Sequence, residues 1–261
     1  YLIAKECNKP LVTTSGNISG SPILYKDEDA LTHLFDIADL ILTYDREIVM
    51  PQDDSVLQLT ETGQKIILRR SRGLAPGYFP HPFSNTNVPL LAFGGELKGS
   101  FAIYQNGNIY ISQYLGDQQS LESQISFKQS MTQLTAMLNT KPEVILSDSH
   151  PAYHSTSAAS AFSIEHDEKN LVKIQHHKAH FSAVLAENSL LHTCEPILGI
   201  VWDGTGYGDD HQIWGSEVFL YENGDMKRLA HLKYFNHLMN DKMSREPRLS
   251  ALSLLKELPS H

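Results

Sequence analysis

From residue 88 to residue 202 the chain alternates short apolar runs, glycine turns and helical stretches, a pattern that few folds accommodate. Residues 88–93, 100–104 and 108–112 read as three strands. The turns between them are Gly94-Gly95-Glu96-Leu97-Lys98-Gly99 and Gln105-Asn106-Gly107, and an Asn-Gly pair between apolar runs signals a hairpin. Ser120 then caps a helix that runs to Asn139, residues 143–147 read as a buried strand, and Asp148-Ser149-His150-Pro151 leads into a second helix through Ala161. Residues 171–174 are a further buried strand with a helical pattern after it. The order β-β-β-α-β-α-β-α specifies an α/β architecture.

The helix after residue 174 opens on Gln175-His176-His177-Lys178-Ala179-His180, with Val184, Leu185 and Ala186 following at helical spacing. His176 and His180 lie one turn apart on one face, so their imidazoles can converge on a divalent ion or a phosphate oxygen. Chance spacing of two histidines is the alternative. The preceding strand delivers them to its carboxyl end, where open α/β sheets collect ligands. Downstream, residues 196–202 form a buried strand that ends in Asp203-Gly204-Thr205-Gly206-Tyr207-Gly208. An acid followed by glycine, threonine and glycine offers a carboxylate to a cation, and backbone donors with a hydroxyl to a phosphate. A hairpin turn is the competing reading. Ile213-Trp214-Gly215 precedes Glu217, which a solvated strand face also explains. Two glycine loops, Gly94-Gly95 and Gly204-Thr205-Gly206, fit the ribonuclease-H-like lobe of the actin, sugar-kinase and Hsp70 class.

Composition narrows the partners. With 30 acidic against 21 basic residues the formal net charge is −9, which disfavours duplex nucleic acid. Cys7 and Cys194 are far apart and form no CxxC pair, as expected of free thiols in a reducing compartment. No apolar run approaches the ~20 residues of a membrane span, so a cytoplasmic location without membrane contact is expected.

The first segment has a different texture. An opening helix is followed by a strand at residues 10–14, then by Ser15-Gly16-Asn17-Ile18-Ser19-Gly20, small and hydroxyl residues able to crowd round a phosphate or to make an ordinary turn. Residues 31–39 read as a helix, and residues 54–59 and 65–70 as a hairpin. Arg69-Arg70-Ser71-Arg72 puts three guanidiniums in an otherwise acidic chain, as a solvated face or as bidentate phosphate contacts. Prolines at 76, 80 and 82 mark a linker, which places a boundary near residue 83. The chain opens inside a helical pattern without an initiator Met, so an internal stretch of a longer protein is expected.

These motifs together resemble the hydrogenase maturation carbamoyltransferases, the HypF family. Ser15-Gly16-Asn17-Ile18-Ser19-Gly20, Asp53-Asp54-Ser55-Val56 and Arg69-Arg70-Ser71-Arg72-Gly73 are similar to the family's YrdC/Sua5-like adenylation domain, so that residues 1–83 would be its C-terminal part. Asp148-Ser149-His150-Pro151, the histidine helix, Asp203-Gly204-Thr205-Gly206-Tyr207-Gly208 and Ile213-Trp214-Gly215 are similar to its Kae1-like domain, with residues 84–261 as the N-terminal part. The resemblance implies a carbamoyl-adenylate made from carbamoyl phosphate and ATP with Mg2+. The carbamoyl group would pass to the C-terminal cysteine of a HypE-like maturation protein, towards the cyanide ligand of a nickel-iron centre. It assigns Ser15, Asn17, Ser19, Arg70 and Arg72 to the adenylate pocket, with Arg72 and His150 catalytic. Gly94, Gly95, Asp203, Gly204, Thr205 and Gly206 would hold nucleotide, and His176 and His180 a Zn2+ or Fe2+ ion. A further metal-binding aspartate of the related family comes later than this chain extends. Tyr44-Asp45-Arg46-Glu47-Ile48 departs from the family's His-Asn-Arg-Pro-Ile, losing the histidine. Threonylcarbamoyl transfer to tRNA and a nucleotide-binding module without catalysis are the alternatives.

Overall fold

The computed structural model describes residues 2–18, 22–80, 87–166, 170–239 and 242–256. The fold is mixed α/β and divides into two compact units. One comprises Tyr1–Ser147 and Tyr153–Leu171, the other Asp148–Ala152 and Val172–His261.

In the first unit, helices α1 (Leu2–Cys7) and α2 (Asp27–Leu34) precede an antiparallel hairpin of β1 (Val56–Leu59) and β2 (Lys65–Arg69). Helix α2 starts earlier than expected because Asp27, Glu28 and Asp29 suit the positive end of a helix dipole. Residues 10–14, expected as a strand, are irregular: Val12 is fully exposed, and among the described residues no strand pairs with them. A β-prone run without a partner has no ladder to join.

The main sheet of this unit draws on β3 (Gly77–Pro80), β4 (Leu90–Phe93), β5 (Phe101–Gln105), β6 (Asn108–Ile111), β7 (Val144–Asp148) and β8 (Asn170–Ile174), in the order β3-β6-β5-β4-β7-β8. β4 runs antiparallel to β5 and parallel to β7, so a meander is joined to a crossover through helix α3 (Leu121–Met137). The proline-rich stretch is only partly a linker: Gly77–Pro80 form the edge strand, antiparallel to β6. An edge tolerates proline because its outer N–H groups serve no ladder. The boundary expected near residue 83 lies outside the described residues.

Ser120 caps α3 by accepting the Ser123 amide at 3.1 Å. Leu91, Ile103 and Ile145 from the sheet meet Phe127, Met131 and Leu134 of α3 and Ala159 of helix α4 (His154–Glu165). Burying each large side chain contributes about 1.5–3 kcal/mol. At the start of α4 the buried Glu96 accepts the His154 amide at 2.8 Å and pairs with His154 Nδ1 at 2.5 Å.

In the second unit, helix α5 (His176–Glu187) covers an antiparallel sheet of β9 (Ile197–Tyr207), β10 (Ile213–Glu222) and β11 (Asp225–His231), in the order β11-β10-β9. Helices α6 (Lys242–Arg245) and α7 (Pro247–Leu255) follow. His177, Phe181 and Leu185 recur every fourth residue and form the buried face of α5. Phe181 and Leu185 join Val201, Trp214, Phe219 and Tyr221 in one apolar cluster. Gly199 is required there, since a Cβ would overlap the Phe181 ring.

Along β9, Gly199 and Val201 point inward while Leu198, Ile200 and Trp202 point outward. The period of two therefore sends Asp203 to the inward face. The segment expected as a glycine loop is neither loop nor turn: β9 continues through Tyr207, with Tyr207 opposite Ile213 and Gly206 opposite Trp214. The register shifts between Trp214 and Ser216, where Gly215 lies too close to the Gly204 carbonyl to carry a Cβ.

Candidate metal centre

Three functional groups of the second unit converge at the first turn of α5. Gln175 caps this helix, its Oε1 accepting the Lys178 amide at 3.0 Å. His176 and His180 then lie one turn apart, with Nε2 atoms separated by 3.2 Å. Asp203, carried in by β9, places Oδ2 at 3.4 Å from His176 Nε2 and Oδ1 at 3.6 Å from His180 Nε2. Ligand atoms of all three residues lie within 4.8 Å of one another. Two imidazole nitrogens on one tetrahedral zinc, each at ~2.0–2.1 Å, are about 3.3 Å apart, which matches the histidine pair.

A fourth residue sets the chemistry of the first ligand. Asp148 ends β7, and the Ser149 amide donates to the Ile174 carbonyl at 3.0 Å, holding this segment beside the start of α5. Asp148 Oδ1 accepts the His150 amide at 2.8 Å, and Oδ2 accepts His176 Nδ1–H at 2.6 Å. An ionised carboxylate only accepts, so the His176 proton sits on Nδ1 and the Nε2 lone pair faces Asp203 and His180. That is the arrangement by which metal-binding histidines are oriented. The hydrogen bond to Asp148 raises the His176 pKa against the opposing effect of burial. Burial disfavours the Asp148 anion, but its bonds from His176 and the His150 amide outweigh this and lower its pKa. Asp148 does not cap α4, whose N-cap is Tyr153.

The donor set fits a divalent cation. Asp203 Oδ2 is buried with no hydrogen-bond partner, although the side chain as a whole is 21% exposed. An anionic carboxylate facing two imidazole lone pairs is costly, and a cation among the three removes that cost. Two imidazoles and a carboxylate supply the three protein ligands usual at catalytic zinc, and the same set suits Fe2+. Asp203 thus adds, from within this chain, a third candidate ligand to the two histidines. His177, wholly buried, titrates below the ordinary histidine range because burial outweighs the nearby Asp203 charge.

The remaining expected residues distribute as follows. His150 touches Asp148 through its amide, while its Nδ1 accepts the Ala152 amide at 3.2 Å and its ring meets Tyr207 edge-on at 5.4 Å. Gly204 adopts φ +91°, and Gly206 has no room for a Cβ because the His177 ring lies against it. Thr205 lies between them in β9. Gly94 and Gly95 follow β4, where the Gly94 amide donates to the Ser100 carbonyl at 2.9 Å. Ser15 and Asn17 line a cleft of about 570 Å³ in the first unit, together with Arg69, Asp53 and Tyr114. Arg70 and Arg72 are not among its lining: Arg70 stacks on Phe79 at 5.2 Å, and Arg72 donates to the Gln52 carbonyl at 3.0 Å. Ser19 lies outside the described residues.

Of the three clustered arginines it is Arg69, not assigned to the adenylate pocket, that faces the cleft, paired to Asp53 at 2.6 Å. Glu217, singled out on the returning strand, is buried and paired with Arg228 at 2.5 Å, which rules out the alternative of a solvated strand face. Both pairs join residues from different strands or loops and leave no local signature. The Asp148 contact to His176 is equally non-local.

Most of the chain matches models of Kae1-like domains. Residues 85–187 match the HypF Kae1-like domain, and residues 199–260 match the second subdomain of the carbamoyltransferase Kae1-like domain. Residues 1–71 match the Sua5/YciO/YrdC family described as telomere recombination. The chain belongs to the HypF carbamoyltransferase family. It is 41% identical to the carbamoyltransferase HypF of Synechocystis sp. over 98% of its own length and 32% of that relative's. Against HypF2 of Cupriavidus necator the identity is 34%, over 97% of this chain and 31% of the relative. The T. kodakarensis HypF crystal structure superposes with a TM-score of 0.83 at 35% identity, covering 95% of this chain and 31% of that one. Full-length HypF crystallised in a phosphate- and nucleotide-bound form gives a TM-score of 0.82 at 33% identity, over 93% and 31% of the two chains. The chain thus spans about a third of the length of the relatives it matches. Among the described residues no helix is long and apolar enough to cross a membrane.

Proposed function

We propose that this chain carries part of an ATP-dependent carbamoyltransferase of [NiFe]-hydrogenase maturation, working in the cytoplasm on carbamoyl phosphate and ATP. The observation that carries the reading is the convergence of His176, His180 and Asp203, with His176 oriented by Asp148. Its family supports it, as does the nucleotide-bound form of one structural relative.

Carbamate is a poor acyl donor because its anionic oxygen is a poor leaving group. Once carbamoyl phosphate has been hydrolysed to carbamate and inorganic phosphate, attack of the carbamate on the ATP α-phosphate expels pyrophosphate and gives a carbamoyl-adenylate, from which AMP departs readily. The first unit would do this work. Its cleft has the size of a small-ligand site, lined by a hydroxyl, an amide and a guanidinium from Ser15, Asn17 and Arg69. Arg70, Arg72 and Ser19 would complete the adenylate contacts, and Mg2+ would accompany the phosphates.

Transfer would occur in residues 84–261, with the C-terminal cysteine of a HypE-like partner as acceptor. The thiolate sulfur bonds to the carbamoyl carbon, the carbon–oxygen bond to AMP breaks, and its electron pair leaves on the phosphate. His176, His180 and Asp203 would hold a divalent cation, which when bound would supply Lewis-acid polarisation of the carbamoyl group. Asp148 keeps the His176 lone pair on Nε2. Gly94, Gly95, Gly204, Thr205 and Gly206 would contact the nucleotide, and His150 the reacting group.

The test is ATP–pyrophosphate exchange by the protein with and without carbamoyl phosphate. Exchange that requires carbamoyl phosphate and is lost in Arg72→Ala supports adenylation. Bound ATP without exchange contradicts it.

A further inference from the structure

One buried polar group has no task in that chemistry. His177 is wholly buried, and its Nε2 has no hydrogen-bond partner, as is also true of Asp203 Oδ2, 3.6 Å away. The two unsatisfied atoms face each other.

The tautomer of His177 follows from obligate donors and acceptors around Gln175. The Lys178 amide can only donate, and it meets Gln175 Oε1 at 3.0 Å. The Tyr207 carbonyl can only accept, and it meets Gln175 Nε2 at 3.0 Å. The amide orientation is thereby fixed, and the same Nε2 lies 3.2 Å from His177 Nδ1. A donor facing Nδ1 requires a lone pair there, so the proton of the neutral ring is on Nε2, directed at Asp203. The ring cannot swing away, because Gly206 lies against one side and the Trp214 ring is 5.8 Å distant.

We propose that His177 is a positioning residue: locked by Gln175 as the Nε2–H tautomer, it donates to Asp203 Oδ2 and so leaves Oδ1 for the cation shared with His176 and His180. Adjacent histidines on one helix thus do opposite work. His176 is protonated on Nδ1 and offers a lone pair, whereas His177 is protonated on Nε2 and offers a proton. A closure of about 0.5 Å brings the His177 contact into hydrogen-bond range. The assignment rests on the metal reading of the cluster.

Two measurements test it. In the metal-free protein, long-range proton–nitrogen correlation spectra identify the protonated nitrogen of His177. A proton on Nε2 is expected, and a proton on Nδ1 overturns the proposal whatever the metal does. The second measurement is Co2+ affinity, followed by optical titration of the protein. His177→Phe keeps the ring volume but removes the donor, and should weaken binding by about 10–100-fold, the usual loss for a partner of a metal ligand. His177→Gln returns an N–H near the same place and should recover most of the affinity. Equal affinity in wild type and His177→Phe refutes the positioning role and leaves the metal reading intact. Failure of the wild type to bind Co2+ refutes the metal reading, and this assignment with it. Equal losses in the Phe and Gln variants make His177 a packing residue only.

Discussion

Replacing Asp148 by asparagine isolates the group that orients His176, because shape is kept and only donor capacity changes. The carboxamide of Asp148→Asn must still accept the His150 amide, which lies 2.8 Å from the wild-type carboxylate, and this turns its NH2 towards His176 Nδ1, 2.6 Å from that carboxylate. His176 Nδ1 must then accept, its proton moves to Nε2, and the lone pair that faced Asp203 and His180 is lost. Binding a cation requires reversing that tautomer and leaving the new amide donor unpaired. Loss of such a partner lowers metal affinity about 10–100-fold. That ratio corresponds to about 1.4–2.7 kcal/mol. Competition between the protein and a chromophoric zinc chelator near neutral pH measures it directly. A variant that binds zinc within about threefold of wild type, below the range expected for such partners, would refute the orienting role.

Two further substitutions probe the scaffold. Gly199→Ala inserts a methyl into the Phe181 ring and should destabilise the second unit by about 1–3 kcal/mol in denaturant unfolding, whereas an unchanged midpoint would show the ring free to yield. For Asp210, burial opposes ionisation, but bonds from Tyr234, the Gln212 amide and Trp214, with the Arg228 charge, lower the pKa from 3.8 to about 2. Its folded value lies below its unfolded one, so its stabilisation is present above pH 3.8 and is lost as pH falls through 2. Asp210→Asn should therefore flatten the acid limb of the melting-temperature profile across that window, and an unaltered limb would contradict the shift.

Local signals in the sequence carried much of the fold. The Asn106-Gly107 hairpin, the Ser120 cap and the strand leading into Gln175 all stand where spacing and turn chemistry put them. Those features depend on neighbours within a few residues. The failures were non-local. Residues 10–14 have strand composition but no partner among the described residues, while Gly77–Pro80 look like a linker and yet complete an edge. Glycine and threonine in 204–206 disguised a strand whose lack of side chains serves the close approach of His177 and Gly215. At the metal site, helical spacing made the His176 and His180 pair legible. Asp203 was read as an acid for a bound cation, but its place beside them depends on β9 passing under α5. Asp148 meets His176 across 28 residues of sequence, a contact no local pattern encodes.

The central claim is a single cation shared by His176, His180 and Asp203. Anomalous diffraction at the zinc edge, from crystals of the zinc-loaded protein, tests it most directly. The account predicts one strong peak at ~2.0–2.2 Å from His176 Nε2, His180 Nε2 and an Asp203 oxygen. A peak at other residues, or zinc held through His176 Nδ1 with Asp148 displaced, would contradict it.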